Sequence, residues 1–163
     1  MAEKASAIQV VNTFLESDTI LSGYIAPQVL QIFPGYAPEQ DDGTQIFPYI
    51  RYIHIPGFHR YTPKIRVDIV QYWIGDTDLD NVLRIQERLL SLMNSSDDEP
   101  FSGIDDPDGN YKIMGMVYRG GVPQTVPNED EGVWEMGASF EVVYTDVRGK
   151  LLYLSYDTDA LLI

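Results

Sequence analysis

The sequence predicts a single α+β domain over residues 1–163: an antiparallel or mixed β-sheet with a long central hairpin, helices packed on one face and an extended C-terminal segment. Two segments place apolar residues at helical spacing, and several others alternate apolar and polar residues. No internal repeat or long linker divides the chain. A chain of 163 residues suits one domain that buries a core without staples.

Composition excludes several classes of function. The chain has 11 Lys+Arg against 25 Asp+Glu, so its formal net charge is −14, which argues against sequence-independent DNA binding. It has no cysteine, which excludes a disulfide framework, thiolate metal sites and a cysteine nucleophile. The first residues lack the apolar stretch of a signal peptide, and no apolar run reaches the roughly 18–20 residues of a spanning helix. We therefore expect a protein that is made and folded in a cytoplasm.

The N-terminal elements follow from periodicity and breakers. Ile8, Val11 and Leu15 fall at helical spacing, and residues 20–25 can add one more helical turn. Residues 29–33 are apolar and partly β-branched, which predicts a strand that stops at Pro34. A polar loop over residues 34–45 is expected to follow.

A long hairpin comes next. Residues 49–55 are rich in strand formers. In residues 64–69, Val67 and Ile69 share one face while Asp68 lies on the other, which predicts one buried and one wet face. The connection 56–63 is too long for a tight turn and is predicted to be a loop.

The second helix is predicted after Thr77, which can cap it, with Asp80 three residues later as a variant of the capping box. An apolar stripe is expected on one side, with Arg84, Glu87 and Arg88 facing water. The predicted stripe consists of Leu79, Val82, Leu83, Leu89, Leu90 and Met93.

The C-terminal half reads as strands and loops. Residues 94–110 are acidic and predict a solvated loop; 111–119 predict a strand, 120–132 a second long loop, and 134–144 the longest strand. Residues 146–149 are expected to turn the chain, and 151–156 can form a final strand. Trp73 and Trp134 lie at strand positions and are predicted to pack in the core.

Candidate chemistry is sparse. A hydrolytic site would pair His54 or His59 with Asp68 or Asp76 and a serine, but no G-x-S-x-G motif exists. A calcium loop anchored on Gly109 fails, because positions 1 and 12 would be an isoleucine and a glycine. We therefore expect no catalytic residues, no metal site, no cofactor and no enzymatic activity.

The features that remain point to a protein that binds other proteins. The hairpin connection carries Phe58, His59, Arg60 and Tyr61, an aromatic and basic group in an acidic chain. The segment 146–163 is apolar and tyrosine-rich, and it either adds a strand to a neighbouring subunit or completes its own sheet. Its candidate interface residues are Leu151, Tyr153, Tyr156, Leu161 and Leu162.

The order and spacing of several segments resemble the tail terminator (tail completion) proteins of long-tailed bacteriophages. The resemblance covers most of residues 5–145. It begins with a helix near residue 5 and continues with FPYIRY at 47–52, RVDIVQYW at 66–73, NVLRIQERLL at 81–90, VYR at 117–119 and FEVVY at 140–144.

The resemblance implies a structural virion protein with an α+β fold. Such a protein forms a hexameric ring on the last ring of the tail tube, stops tube polymerisation and joins the tail to the neck of the capsid. Its implied partners are copies of itself, the tail tube protein, a neck or connector protein and, where one exists, a sheath. Its implied location is the tail–neck junction of the virion, after assembly in the host cytoplasm. We expect no membrane and no specific nucleic-acid binding, although DNA passes through the ring.

Two alternatives stay open at this point. Another neck or head–tail connector component, such as an adapter or stopper, is also a small acidic ring former. A small soluble ligand-binding domain or enzyme would need a pocket with converging polar groups.

Overall fold

A computed structural model describes residues 6–60, 64–93, 103–125 and 132–146. These ranges contain three helices and six strands. The helices are α1 (Ala7–Glu16), α2 (Thr19–Ile25) and α3 (Leu79–Met93), and the strands are β1 (Ile32–Pro34), β2 (Tyr49–Arg60), β3 (Ile65–Asp76), β4 (Ile104–Asp105), β5 (Tyr111–Thr125) and β6 (Trp134–Asp146).

The strands form one mixed sheet in the order β1-β2-β3-β6-β5-β4. β1 runs parallel to β2, and the other neighbouring strands are antiparallel. The predicted central hairpin is β2–β3, which pairs from Tyr49↔Gly75 to Arg60↔Arg66. The predicted α+β class, with a mixed sheet and a long hairpin, is therefore confirmed.

The core lies between the helices and one face of the sheet. Val70, Tyr72 and Ile74 alternate on β3, and their neighbours on β6 in register include Phe140 and Ala138. Each of these side chains is buried, because alternation presents every second residue of a strand to the same face. The Tyr72 hydroxyl donates to Asn12 Oδ1 on α1 at 2.7 Å, so these two buried polar side chains are paired with each other.

Two of the helices are tied together by one carboxylate. Asp18 caps α2 by accepting the Leu21 N–H at 2.8 Å, and its two oxygens bind the guanidinium of Arg88 on α3 at 2.9 and 2.7 Å. The hydrogen bond from Arg88 holds the pKa of Asp18 below its ordinary value. The prediction that Arg88 faces water was wrong, because this pair holds it against α2.

The helix α3 corrects two further predictions. The Asp80 N–H in the first turn of α3 donates to the Asp78 carboxylate at 3.0 Å, so Asp78 and not Thr77 caps the helix. Ile85 is buried, whereas Leu83 is 40% exposed. The buried positions 82, 85, 89 and 93 follow the helical period, and this places residue 83 about 100° away from them.

The strands extend further than their sequences predicted. β2 continues through the predicted loop to Arg60, and β5 continues through Gly120 to Thr125. β1 is the exception, since it begins only at Ile32 and includes Pro34. Proline is tolerated at an edge or a bulge, since no ladder hydrogen bond is lost there. Pro34 lies in the edge strand, and the register shifts between Ile55 and His59 on β2.

Several predictions lie outside the described residues: the part of the predicted loop 94–110 that precedes residue 103, the turn at 147–149 and the strand at 151–156. In the part of the chain that the model covers, no helix is long and apolar enough to cross a membrane.

Candidate assembly surface

The sheet face opposite the core, called the outer face here, carries exposed apolar side chains. Ile53 and Ile55 on β2 are 38% and 43% exposed, and Met114 and Val117 on β5 are 38% and 44% exposed. The described helices pack on the other face. Apolar side chains exposed on a sheet face are typical of surfaces that contact other proteins.

A paired cluster crosses three strands at one end of the outer face. Arg51 on β2 binds both oxygens of Glu135 on β6, at 2.7 and 3.1 Å, and donates to the Gly35 carbonyl at 3.0 Å. Its guanidinium lies 5.0 Å from the ring centre of Trp73. The Tyr49 hydroxyl also donates to Glu135. The prediction that Trp73 packs in the core was wrong, since it is half-buried on the outer face beneath this arginine.

The cluster holds its charges in fixed states. Burial opposes ionisation of Glu135, but the hydrogen bonds from Arg51 and Tyr49 outweigh it, and the pKa of this carboxyl lies below its ordinary value. Burial and the neighbouring carboxylate raise the pKa of Tyr49. The carboxylate is therefore ionised and the phenol protonated at neutral pH, which is the pattern of a structural network.

The other end of the outer face carries a second pair. Arg119 on β5 binds Glu141 on β6 at 2.7 Å, with side-chain exposures of 58% and 10%. The guanidinium is thus held by a mostly buried carboxylate while much of it faces solvent. Five donors on one guanidinium leave Arg119 able to bind a further acceptor.

β5 also has an edge without a neighbouring strand. β4 pairs with Lys112 and Ile113, and from Met114 onward the described residues supply no strand on the side away from β6. Such an edge presents backbone N–H and C=O groups that can pair with another chain.

The connection between β1 and β2 contains a segment that we call the acidic loop, residues 36–45. Tyr36 is 90% exposed, and Glu39, Asp41 and Asp42 are exposed as well. The loop is ordered by a Glu39↔Gln45 bridge and by the Thr44 N–H, which donates to the Asp42 carboxylate at 3.0 Å. The hydrogen bonds from Thr44 hold the pKa of Asp42 below its ordinary value.

The bulge in β2 is organised by Asp68. Between two paired positions, β2 advances by four residues, from Ile55 to His59, while β3 advances by two. The backbone N–H groups of the extra residues in β2 therefore need other acceptors. The Asp68 carboxylate accepts the Gly57 N–H at 2.9 Å and binds His54 Nε2 at 2.7 Å and the Tyr144 hydroxyl at 3.1 Å. Burial opposes ionisation of Asp68, but these bonds outweigh it and its pKa lies below its ordinary value. The prediction that Asp68 lies on the wet face, opposite Val67 and Ile69, was wrong. Asp68 alternates with the core residues Val70, Tyr72 and Ile74 on β3, and only 2% of it is exposed.

The sequence allows His54 to pair with Asp68 in a hydrolytic site. The structure brings these two residues together, and the same carboxylate also accepts from the Gly57 N–H and the Tyr144 hydroxyl. The described contacts of Asp68 are those of a structural anchor for the bulge.

The structure describes only some of the predicted interface residues of the hairpin. Phe58, His59 and Arg60 belong to β2, where the backbones of His59 and Arg60 pair with Val67 and Arg66. Their prediction as loop residues was wrong, because the long β3 strand gives them a pairing partner. Tyr61 lies outside the described residues, and so do the tail residues Leu151, Tyr153, Tyr156, Leu161 and Leu162.

The acidic segment around residue 106 forms a tight turn. The Asp106 carboxylate accepts backbone N–H groups of Asp108, Asn110 and Tyr111 at 2.9, 3.0 and 3.2 Å. Asp106 is 7% exposed, so the prediction of a fully solvated run was wrong at this position. Among the residues described, no three His, Asp or Glu side chains are grouped to hold a metal ion.

Comparison with known proteins shows a likeness in fold. No protein-family model and no curated protein matches the sequence. Among solved structures, the chain is similar to one described as "Virion of native gene transfer agent (GTA) particle", with a TM-score of 0.50 and 7% sequence identity. The match covers 87% of this chain and 99% of that chain. At this identity the likeness shows a shared fold over almost the whole length of that chain.

Proposed function

We propose that the protein is a structural component of a phage-like virion, and specifically the tail terminator. Six copies form a ring that caps the tail tube, stops its polymerisation and joins the tail to the neck. The observation that carries this proposal is the fold shared with a chain of a gene transfer agent virion along 99% of that chain. The order of segments that resembles tail terminators supports the more specific assignment.

The surfaces described above suit an assembly protein. The outer face exposes apolar side chains on β2 and β5, and its Arg51 and Arg119 are paired with carboxylates of β6. Within the described residues, β5 has no neighbouring strand on its outer edge beyond Ile113, and β1, from which the acidic loop continues, lies at the other side of the sheet. Features of this kind support contacts with other protein surfaces.

The role is structural rather than enzymatic. The carboxylates of Asp68 and Glu135 are held by donors from the backbone and from neighbouring strands. The proposed partners are copies of the chain, the tail tube protein, a neck protein and a sheath where one exists. The proposed place is the tail–neck junction, after assembly in the host cytoplasm.

Electron microscopy of the purified protein, alone and mixed with tail tubes, tests the proposal. We expect rings of six at one end of the tubes and tubes that no longer lengthen. Rings of twelve would favour an adapter of the neck. A monomer in light scattering that leaves tube growth unchanged, and that turns over a small molecule, would contradict the proposal.

A further inference from the structure

A ring built from one repeated contact needs two different surfaces on opposite sides of each copy. The sheet order places β1, from which the chain continues into the acidic loop, at one side and β5 with the short β4 at the other. These two sides are therefore where the copies of a closed ring can meet head to tail.

The two surfaces carry charges of opposite sign, and each also exposes apolar side chains. On β5, Met114 and Val117 are exposed beside Arg119, and we call these three residues the β5 patch. The acidic loop presents the aromatic ring of Tyr36 together with Glu39 and Asp41. Each surface thus offers apolar area next to charge, and the charges are of opposite sign.

We propose that the β5 patch of one copy docks against the acidic loop of the next copy. This inference rests on the proposed ring and names the surfaces that form it. Arg119 keeps Glu141 as its internal partner and donates its remaining N–H groups to Glu39 or Asp41 of the neighbour. Met114 and Val117 cover the ring of Tyr36, which supplies buried apolar area.

Two physical reasons favour this contact. Copies that each carry a net charge of −14 repel one another, so association requires that opposite charges meet locally. The acidic loop is also ordered by its own hydrogen bonds, such as Gln40 N–H to the Thr44 carbonyl at 2.8 Å. An ordered loop loses less conformational freedom on docking than a disordered one.

A charge-reversal experiment tests the contact. The variants are Arg119→Glu and the double variant E39K/D41K, each studied as the full chain by light scattering and electron microscopy. Either variant alone places like charges against each other, and we expect ring formation to require at least about tenfold more protein. In an equimolar mixture, alternating copies restore both contacts, so rings return at the wild-type concentration.

Controls separate folding and net charge from the contact. Arg84→Glu and Glu87→Lys change exposed residues of α3 and should leave ring formation unchanged. If Arg119→Glu unfolds because Glu141 loses its partner, Val117→Glu replaces it. Glu39 and Asp41 have no described side-chain bond, so we expect the E39K/D41K variant to fold. Its ring formation therefore gives a second test of the contact.

The outcomes distinguish this inference from the proposed function. If wild-type rings form and both variants form them equally well, or if the mixture does not restore them, the contact is wrong and the terminator role stands. If the wild-type chain forms no ring, alone or on tubes, the proposed function and the contact both fail.

Discussion

The ring of Tyr49 lies over Gly75 on the adjacent strand, where a Cβ atom at residue 75 would come within 2.1 Å of Tyr49 Cζ. In register, Tyr49 faces Gly75 on β3, and Gly75 faces Glu135 on β6. Because glycine leaves this space open, the tyrosine can cross β3 and donate its hydroxyl to Glu135 two strands away. One missing side chain therefore allows a hydrogen bond across three strands.

Replacing Gly75 by alanine should destabilise the protein by about 1–3 kcal/mol, because the added methyl group displaces the Tyr49 ring. Urea unfolding followed by fluorescence measures the change. Gly115→Ala on β5 is the matched control, since a Cβ there meets no heavy atom within 4 Å and should cost little. Equal stabilities of the two variants would contradict the interpretation.

Replacing Asp68 by asparagine should cost about 1–3 kcal/mol at pH 7, because the buried donors lose a charged acceptor. The folded-state pKa of Asp68 lies below its unfolded value, so its stabilisation is present above about pH 4 and is lost as the pH falls through the folded value. The stability difference from wild type should therefore be full at pH 7 and shrink below about pH 4.

Urea unfolding at several pH values checks this prediction. Tyr144→Phe removes one of the bonds to Asp68 and should cost about 1 kcal/mol. A difference between wild type and the asparagine variant that grows towards acid pH would have the wrong sign.

Removing Asp18 should cost more than removing its partner Arg88. Asp18→Ala loses both the α2 cap and the ion pair, about 1–2 kcal/mol, whereas Arg88→Ala loses a partly exposed pair worth roughly 0.2–1 kcal/mol. Thermal unfolding of both single variants and the double variant provides the comparison. If Arg88→Ala were the more damaging change, the cap would contribute little.

Replacing Phe58 and Tyr61 by serine should leave a folded protein that no longer joins tails, because the predicted contact loses its apolar area. Circular dichroism checks folding, and a complementation assay counts infectious particles. An unchanged yield of particles would dismiss this role for the hairpin tip.

The protein should not retard duplex DNA at ordinary salt. Its formal net charge of −14 includes the acidic segments 97–108 and 129–131, which repel phosphate. Electrophoretic mobility of DNA at increasing protein concentration tests the prediction, with a basic DNA-binding protein as the positive control. A shifted band would show that the chain presents a basic surface.

Some helices and strands were predicted from the sequence and parts of others were missed, and both outcomes have physical reasons. α1 and α3 were predicted because their apolar spacing is local, and β3 and β6 because their alternation is local. The continuation of β2 to Arg60 and of β5 to Thr125 was missed, because proline and glycine in a sequence indicate the end of a strand. In the structure, long partner strands accommodate these residues at register shifts.

The candidate surface was harder to predict than the fold. Val117 and Arg119 lie in a predicted strand, but nothing local shows that the described residues leave the edge of β5 beyond Ile113 without a neighbour, because this depends on how short β4 is. Neither the face nor the burial of Asp68 was predicted: it alternates with Val70, Tyr72 and Ile74 on the core side of β3, and its donors come from β2 and β6.

The sequence by itself determined the class of fold, the acidic charge and the buried faces of α1 and β6, because these depend on composition and on short-range periodicity. The tertiary structure decided which strands lie at the edges, which carboxylates are buried and which arginines remain exposed. Those properties depend on residues far apart in the chain, such as Tyr49 and Glu135, that meet when the sheet assembles.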